Sequence, residues 1–139
     1  MKSLTLLLVF LFSVAVYSQA TVDEKLNRFF QIYESGSSEA IEYLFEDNKW
    51  MENKFEEMLN LKYQLVELQK ELGEYYGNEK LSELNLGESL KEVTYVVKYE
   101  RMPLRFRFHF YKAKDNWMAL NFYYDDNFPE EFLTAKGIE

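Results

Sequence analysis

The chain has 139 residues, of which 47% are hydrophobic and 18% aromatic, and its formal net charge is -8. This apolar content is too high for a disordered chain and predicts a single folded domain. The acidic charge disfavours nucleic acids and anionic membranes as partners, because both would be approached against repulsion. The absence of cysteine excludes disulfides, thiolate nucleophiles and cysteine-ligated metal sites.

The first residues have the pattern of a cleavable signal peptide. Lys2 gives a positive start, and an apolar run of about 13 residues follows from Leu4 to Val16, which is too short to span a bilayer. A membrane anchor or a buried core helix is the alternative interpretation. Small residues allow cleavage after Ser18 or after Ala20, and we expect the first.

Cleavage at that position divides the chain into a signal peptide, 1–18, and one domain, 19–139. No lipid-acceptor cysteine follows the apolar run. The sequence therefore predicts a soluble periplasmic or secreted protein that has no membrane contact after cleavage.

Helical periodicity begins directly after the leader. Thr21 and Glu24 have capping-box spacing, and apolar residues then recur at helical steps, which predicts a first helix over 22–34. A serine- and glycine-rich break follows, and Ser37 or Ser38 is placed to cap a short second helix.

The segment from Trp50 to Leu72 contains no glycine or proline and predicts one long amphipathic helix, with Gly73 as its C-cap. A heptad coiled coil is the alternative for this segment, but the heptads are too few.

After Gly73 the apolar period changes to two. Leu81–Leu86 is a weak strand candidate, whereas Leu90–Glu100, Leu104–Tyr111 and Trp117–Tyr124 alternate strongly. The tail after Pro129 either forms one short helix or frays. This order predicts an α+β domain in which three N-terminal helices pack on a curved antiparallel sheet of about four strands.

Several segments carry a resemblance to a known family: Leu72-Gly73, Leu86 to Ser89, Val97 to Arg101 with Pro103, Phe110 to Lys112, Trp117 and Asn121-Phe122. Over roughly residues 22–126 the chain resembles the cystatin or nuclear-transport-factor-2-like cone, and small exported proteins of that kind from Gram-negative bacteria. The resemblance implies a cone with its mouth between helices and sheet, and frequent dimerisation through the outer sheet face. The superfamily includes isomerases, dehydratases and small-ligand binders, so the fold alone implies no reaction.

Aromatic side chains with polar tips are typical of small-molecule pockets. We predict that such a pocket is lined by Trp50, Tyr63, Tyr75, Tyr99, Phe106, Phe108, Phe122 and Tyr124. Core packing is the alternative role for these residues, and the sequence does not decide which tyrosines face inward.

His109 is the only histidine, and it alternates with the apolar residues of its predicted strand. A general base or a metal ligand is one interpretation of a lone histidine. The alternation favours an outward position instead, on the same face as Arg105 and Arg107.

Arg105 and Arg107, with Arg101 nearby, form the basic part of that predicted outer face. Arginine forks bind carboxylates, so this face could hold a carboxylate ligand or an anionic polysaccharide. Cross-strand pairing with Glu92, with Glu100 or with acidic residues of a partner subunit is the alternative.

The acidic segment Asp125–Asn127, with Glu130 and Glu131, offers oxygen ligands of the kind that calcium prefers. Its spacing does not match the twelve-residue calcium loop, so a solvated turn is the better interpretation. We expect no metal and no cofactor.

No Ser-His-Asp, phosphate-loop, dinucleotide or zinc-protease pattern is present in the sequence. We expect a non-enzymatic exported domain that forms a homodimer and binds a small apolar ligand or a protein. The alternative is an isomerase-like or dehydratase-like enzyme that uses a carboxylate in the cone pocket. A purely structural or inhibitory interaction protein is a third hypothesis.

Overall fold

The computed structural model describes residues 20–137, and of Glu130 and Glu131 it describes only the backbone. The predicted signal peptide, 1–18, lies outside the described residues. The elements in chain order are α1 (Val22–Ser35), α2 (Ser37–Phe45), a 3-10 helix (Lys49–Lys54), α3 (Phe55–Leu72), β1 (Tyr75–Leu86), β2 (Leu90–Tyr99), β3 (Leu104–Lys112), β4 (Trp117–Asp125) and α4 (Phe128–Ala135).

The strands form one four-stranded antiparallel sheet in the order β1-β2-β3-β4, so each strand pairs with its neighbour in sequence. The predicted α+β class is confirmed. The helices are not all N-terminal, because α4 follows the sheet. Within residues 20–137, no helix is long and apolar enough to cross a membrane.

The predicted cap of the first helix is confirmed. The Thr21 hydroxyl accepts from the Glu24 N–H at 3.1 Å, and the Glu24 carboxylate accepts from the Thr21 N–H at 2.9 Å. Both N–H groups would otherwise have no helical partner. The cap fixes the start of α1, whose buried stripe of Leu26, Phe29 and Tyr33 packs on the sheet.

The prediction that Ser37 or Ser38 caps the second helix is wrong. Gly36 alone separates α1 from α2 and is the N-cap, with no side-chain hydrogen bond. Ser37 is already helical and 1% exposed, and its hydroxyl has no hydrogen-bond partner in the described part of the chain. One connecting residue leaves no room for a serine outside the helix.

The single helix predicted from Trp50 is divided in two. Asn48 accepts from the Trp50 N–H at 3.2 Å and donates to the Ala119 carbonyl oxygen at 2.8 Å. This buried contact ties the chain to β4 and starts a short 3-10 helix, so α3 begins only at Phe55. Gly73 ends α3 at φ 82, a conformation that favours glycine.

The first strand is twice as long as predicted, because it begins at Tyr75 rather than Leu81. Gly77, at φ 109, and two register shifts hide its alternation in the sequence. The alternation predicted for the last strand also breaks. A bulge at Leu120 places Ala119 opposite Phe110, so Ala119 shares a face with Phe122.

Aromatic rings fill the space between α1 and the sheet. Phe29 packs edge-on against Phe108 at 5.1 Å between ring centroids, and Phe30 lies 4.8 Å from Tyr95. Phe106 packs edge-on against Phe122 at 4.9 Å. Such edge-to-face pairs stabilise a core beyond their area of contact. We call the side of the sheet that carries these rings the inner face, and the opposite side the outer face.

Replacing one of these rings should destabilise the fold strongly. We expect Phe108→Ala to lower the free energy of unfolding by about 3–5 kcal/mol, because Phe108 is 0% exposed and leaves a cavity. The matched control is Phe55→Ala, at a residue 70% exposed, which should cost less than about 1 kcal/mol. Urea unfolding measures both, and equal losses would contradict the described core.

Candidate functional site

The structure does not bring the eight predicted pocket residues to one cavity. Four of them are packed in the core: Tyr99, Phe106, Phe108 and Phe122. Trp50 and Tyr63 belong to the helical segment and are 64% and 65% exposed. Tyr75 and Tyr124 are half-buried, and the Tyr124 hydroxyl donates to Gln64 at 3.0 Å.

Two buried tyrosine hydroxyls of the core satisfy one another. The hydroxyls of Tyr33 and Tyr99 are hydrogen-bonded, and the Tyr75 ring packs edge-on at 5.7 Å from Tyr33 and 5.8 Å from Tyr99. Burial raises the pKa of the Tyr33 hydroxyl far above its ordinary value, so this group stays neutral. Among the residues whose burial is described, no Asp or Glu is buried.

The outer face is built by the residues that alternate with the core rings. The register places Glu92 opposite His109, Thr94 opposite Arg107 and Val96 opposite Arg105. Directly opposite residues project on the same side of an antiparallel sheet. The three residues predicted for the outer face therefore share one surface.

His109 is held by one carboxylate. Its Nε2 lies 2.7 Å from Oε2 of Glu92, and each side chain is about one-third exposed. The imidazole also packs edge-on against Tyr123, at 5.3 Å between centroids. No cluster of three metal-ligating side chains occurs in the described part of the chain. The geometry thus makes His109 part of a cross-strand pair.

Arg105 and Arg107 share the carboxylate of Asp125. Nη2 of Arg105 lies 2.8 Å from Asp125 Oδ1, and Nη2 of Arg107 lies 3.3 Å from Oδ2. The sequence suggested Glu92 or Glu100 as the partner, and Asp125 was considered only as a calcium ligand. Arg105 is 3% exposed, although it lies on the face away from the aromatic core.

These contacts also set the charge state of Asp125. Partial burial by itself raises the pKa of the carboxyl, but hydrogen bonds from Arg105 and from the Asn127 N–H outweigh it. The net result is a pKa below the usual range. Asp125 offsets one of the two arginine charges, and Lys98 and Arg101 are exposed.

Beyond the charged pairs, the outer face carries exposed leucines at the end of the β1–β2 hairpin. Leu84, Leu86 and Leu90, the leucine patch, are 52%, 59% and 40% exposed. They border a groove of about 190 Å³ whose other walls include Leu120 and the His109–Glu92 pair. This patch is not among the predicted sites, although Leu84 and Leu86 alternate within the predicted strand Leu81–Leu86.

The chain matches no family model, no curated protein and no solved structure in comparisons with known proteins. On the outer face, the exposed leucines lie beside the His109–Glu92 pair.

The Asp125 contacts should make stability depend on pH. The pKa of Asp125 is lower in the folded protein, so its contribution is fully present above the unfolded pKa of about 4 and is lost as the pH falls through the folded value. Asp125→Asn should cost about 1 kcal/mol or more at pH 7, because Arg105 loses a charged partner.

That difference should shrink as the pH falls through the lowered pKa of Asp125 in the folded protein, because the wild-type carboxyl then becomes protonated. Urea unfolding across a pH series measures it. Asp115→Asn is the control, since Asp115 is exposed and has no ion pair among the described residues. A loss for Asp125→Asn that is independent of pH would contradict the assignment.

Proposed function

We propose that this protein is an exported interaction domain that docks a protein partner on the outer face of its sheet, and that the partner is a second copy of the chain. The observation that carries the proposal is the leucine patch, three leucines exposed by 40–59% on one surface. Contiguous exposed apolar surface, bordered by polar residues, is typical of protein interfaces.

Charge pairing on the outer face favours association. His109 contacts Glu92, and both arginines contact Asp125, so each of these side chains already has a polar partner within the sheet. Desolvating already paired groups costs less than desolvating isolated charges. The rest of the surface is acidic, given the net charge of -8, and repels a second copy.

A second copy suits this surface because a two-fold interface must be complementary to itself. Leucines meet leucines across the axis. The resemblance to the nuclear-transport-factor-2-like cone supports the same arrangement, since dimerisation through the outer sheet face is frequent in that superfamily. We infer the cone itself from element order.

The described inner face offers no buried carboxylate. An isomerase-like or dehydratase-like mechanism needs a carboxylate in the cone, whereas the buried groups that are hydrogen-bonded there are the hydroxyls of Tyr33 and Tyr99. Small apolar ligands would find the groove beside the leucine patch more accessible than the filled core.

The proposal of export depends on the predicted signal peptide, 1–18. We infer cleavage after Ser18, so the N-terminal residue of the exported protein should be Gln19, or Thr21 if cleavage follows Ala20. N-terminal sequencing of protein recovered outside the cytoplasm measures this. Recovery of the protein only inside the cells, as intact chain that begins at Met1, would overturn the proposal of export.

Leu90→Asp should dissociate the dimer. A buried, unpaired carboxylate replaces an apolar contact, so we expect the dimer dissociation constant to rise roughly thirtyfold, about 2 kcal/mol. Leu59→Asp is the matched control, because Leu59 is 54% exposed on α3 and distant from the outer face. Sedimentation equilibrium measures both. A monomeric wild type, or equal dissociation by both variants, would contradict the proposal.

A further inference from the structure

The two edge strands of the sheet differ in the contacts that cover them. At β4, the Asn48 amide donates to the backbone carbonyl of Ala119 at 2.8 Å, and α2 packs against the strand. At β1, ten of the twelve residues have a partner in β2, and no described residue outside β2 bonds to the backbone of the strand. A long unpaired edge is a template for another strand unless the fold protects it.

Two register shifts limit the usable part of that edge. One lies between Tyr75 and Gly77 and the other between Lys80 and Ser82, which leaves Gly77–Lys80 as a regular stretch between them. This stretch contains no proline, so every residue retains a backbone donor. A short added strand can pair here without crossing a bulge.

A cleft of about 550 Å³ lies directly beside this stretch, between α1 and β1. Its α1 wall consists of Asn27, Phe30, Gln31 and Glu34, which recur at helical spacing. Beyond the residues that line the cleft, an ion pair between Lys80 Nζ and Asp23 Oδ1, at 2.8 Å, joins β1 to α1. The cleft is therefore bounded at one end and open at the other.

The chemistry of the cleft defines what it accepts. Asn27 and Gln31 present amides, which both donate and accept hydrogen bonds, and Phe30 contributes a ring. Glu34 is the only charged residue in the lining, is exposed, and forms no ion pair with any described residue. A ligand here needs extended backbone and a cation opposite Glu34.

We propose that the α1–β1 cleft binds an extended basic peptide segment of a partner protein, which adds a fifth strand to the sheet at Gly77–Lys80. Main-chain hydrogen bonds to β1 supply the affinity, as in other cases of strand addition. Alternate side chains of the segment project to the inner side. One of them, a Lys or Arg, reaches Glu34, and the other side chains on that side contact the amides of Asn27 and Gln31. This site is separate from the leucine patch.

Selection of random phage-displayed heptapeptides on the immobilised mature protein tests the proposal. We expect enrichment of peptides that combine β-branched residues with a Lys or Arg. The enriched peptides, made synthetically, should shift the backbone amide NMR signals of Gly77–Lys80. N-methylation of alternate peptide amides in the strand-pairing frame should abolish binding, because it removes the donors.

Charge reversal in the cleft provides the matched comparison. Glu34→Lys should weaken binding of the basic peptide by about fivefold, the scale of an exposed ion pair. Glu71→Lys makes the same charge change at an exposed residue of α3 and should leave the affinity unaltered. Both substitutions lie on helix surfaces, so both variants should fold, which circular dichroism verifies.

Three results would overturn the proposal: no peptide enriched above the blank surface, enriched peptides that leave the Gly77–Lys80 signals unshifted, or equal affinities for the two charge-reversed variants. A fourth result would be pairing of two β1 edges from two copies of the chain. It would shift the same amide signals when the protein concentration alone is raised, and it would also overturn the proposal. The Leu90→Asp variant should bind peptide like the wild type, which separates this site from the proposed dimer.

Discussion

The packing of α1 onto the inner face is the constraint on which the other features depend. Phe29 and Phe30 interlock with Phe108 and Tyr95, so the space where a cone pocket would lie is occupied by rings with almost no exposure. Interiors packed in this way do not open for a ligand without a large loss of contacts. The binding that we propose therefore lies on surfaces that the core leaves uncovered, which are the outer face and the β1 edge.

The outer face follows from the same alternation. Each strand that sends a ring inward sends the next residue outward, so the register that builds the core also brings His109 to Glu92 and Arg105 close to Asp125. These charged side chains have partners within the sheet, whereas the leucine patch stays exposed in the described part of the chain. This contrast is the reason that we propose the outer face as a docking surface.

Much of the fold could be predicted from local sequence patterns. The capping box at Thr21, the Gly73 cap and the three strongly alternating strands depend on neighbours in sequence, and each appears in the structure. The length of β1 and the bulge at Leu120 could not be predicted, because bulges shift the two-residue period of a strand. The partnership of Asp125 with the two arginines depends on strand register, which a single sequence does not specify.

The central claim is that the leucine patch is buried between two copies of the chain. NMR of leucine methyl groups in the mature protein, recorded over a concentration series, tests this claim most directly. The account predicts that the methyl signals of Leu84, Leu86 and Leu90 shift as the concentration rises, while those of the exposed Leu59 do not. Concentration-independent signals at all three patch leucines, or shifts at Leu59 of the same size, would contradict it.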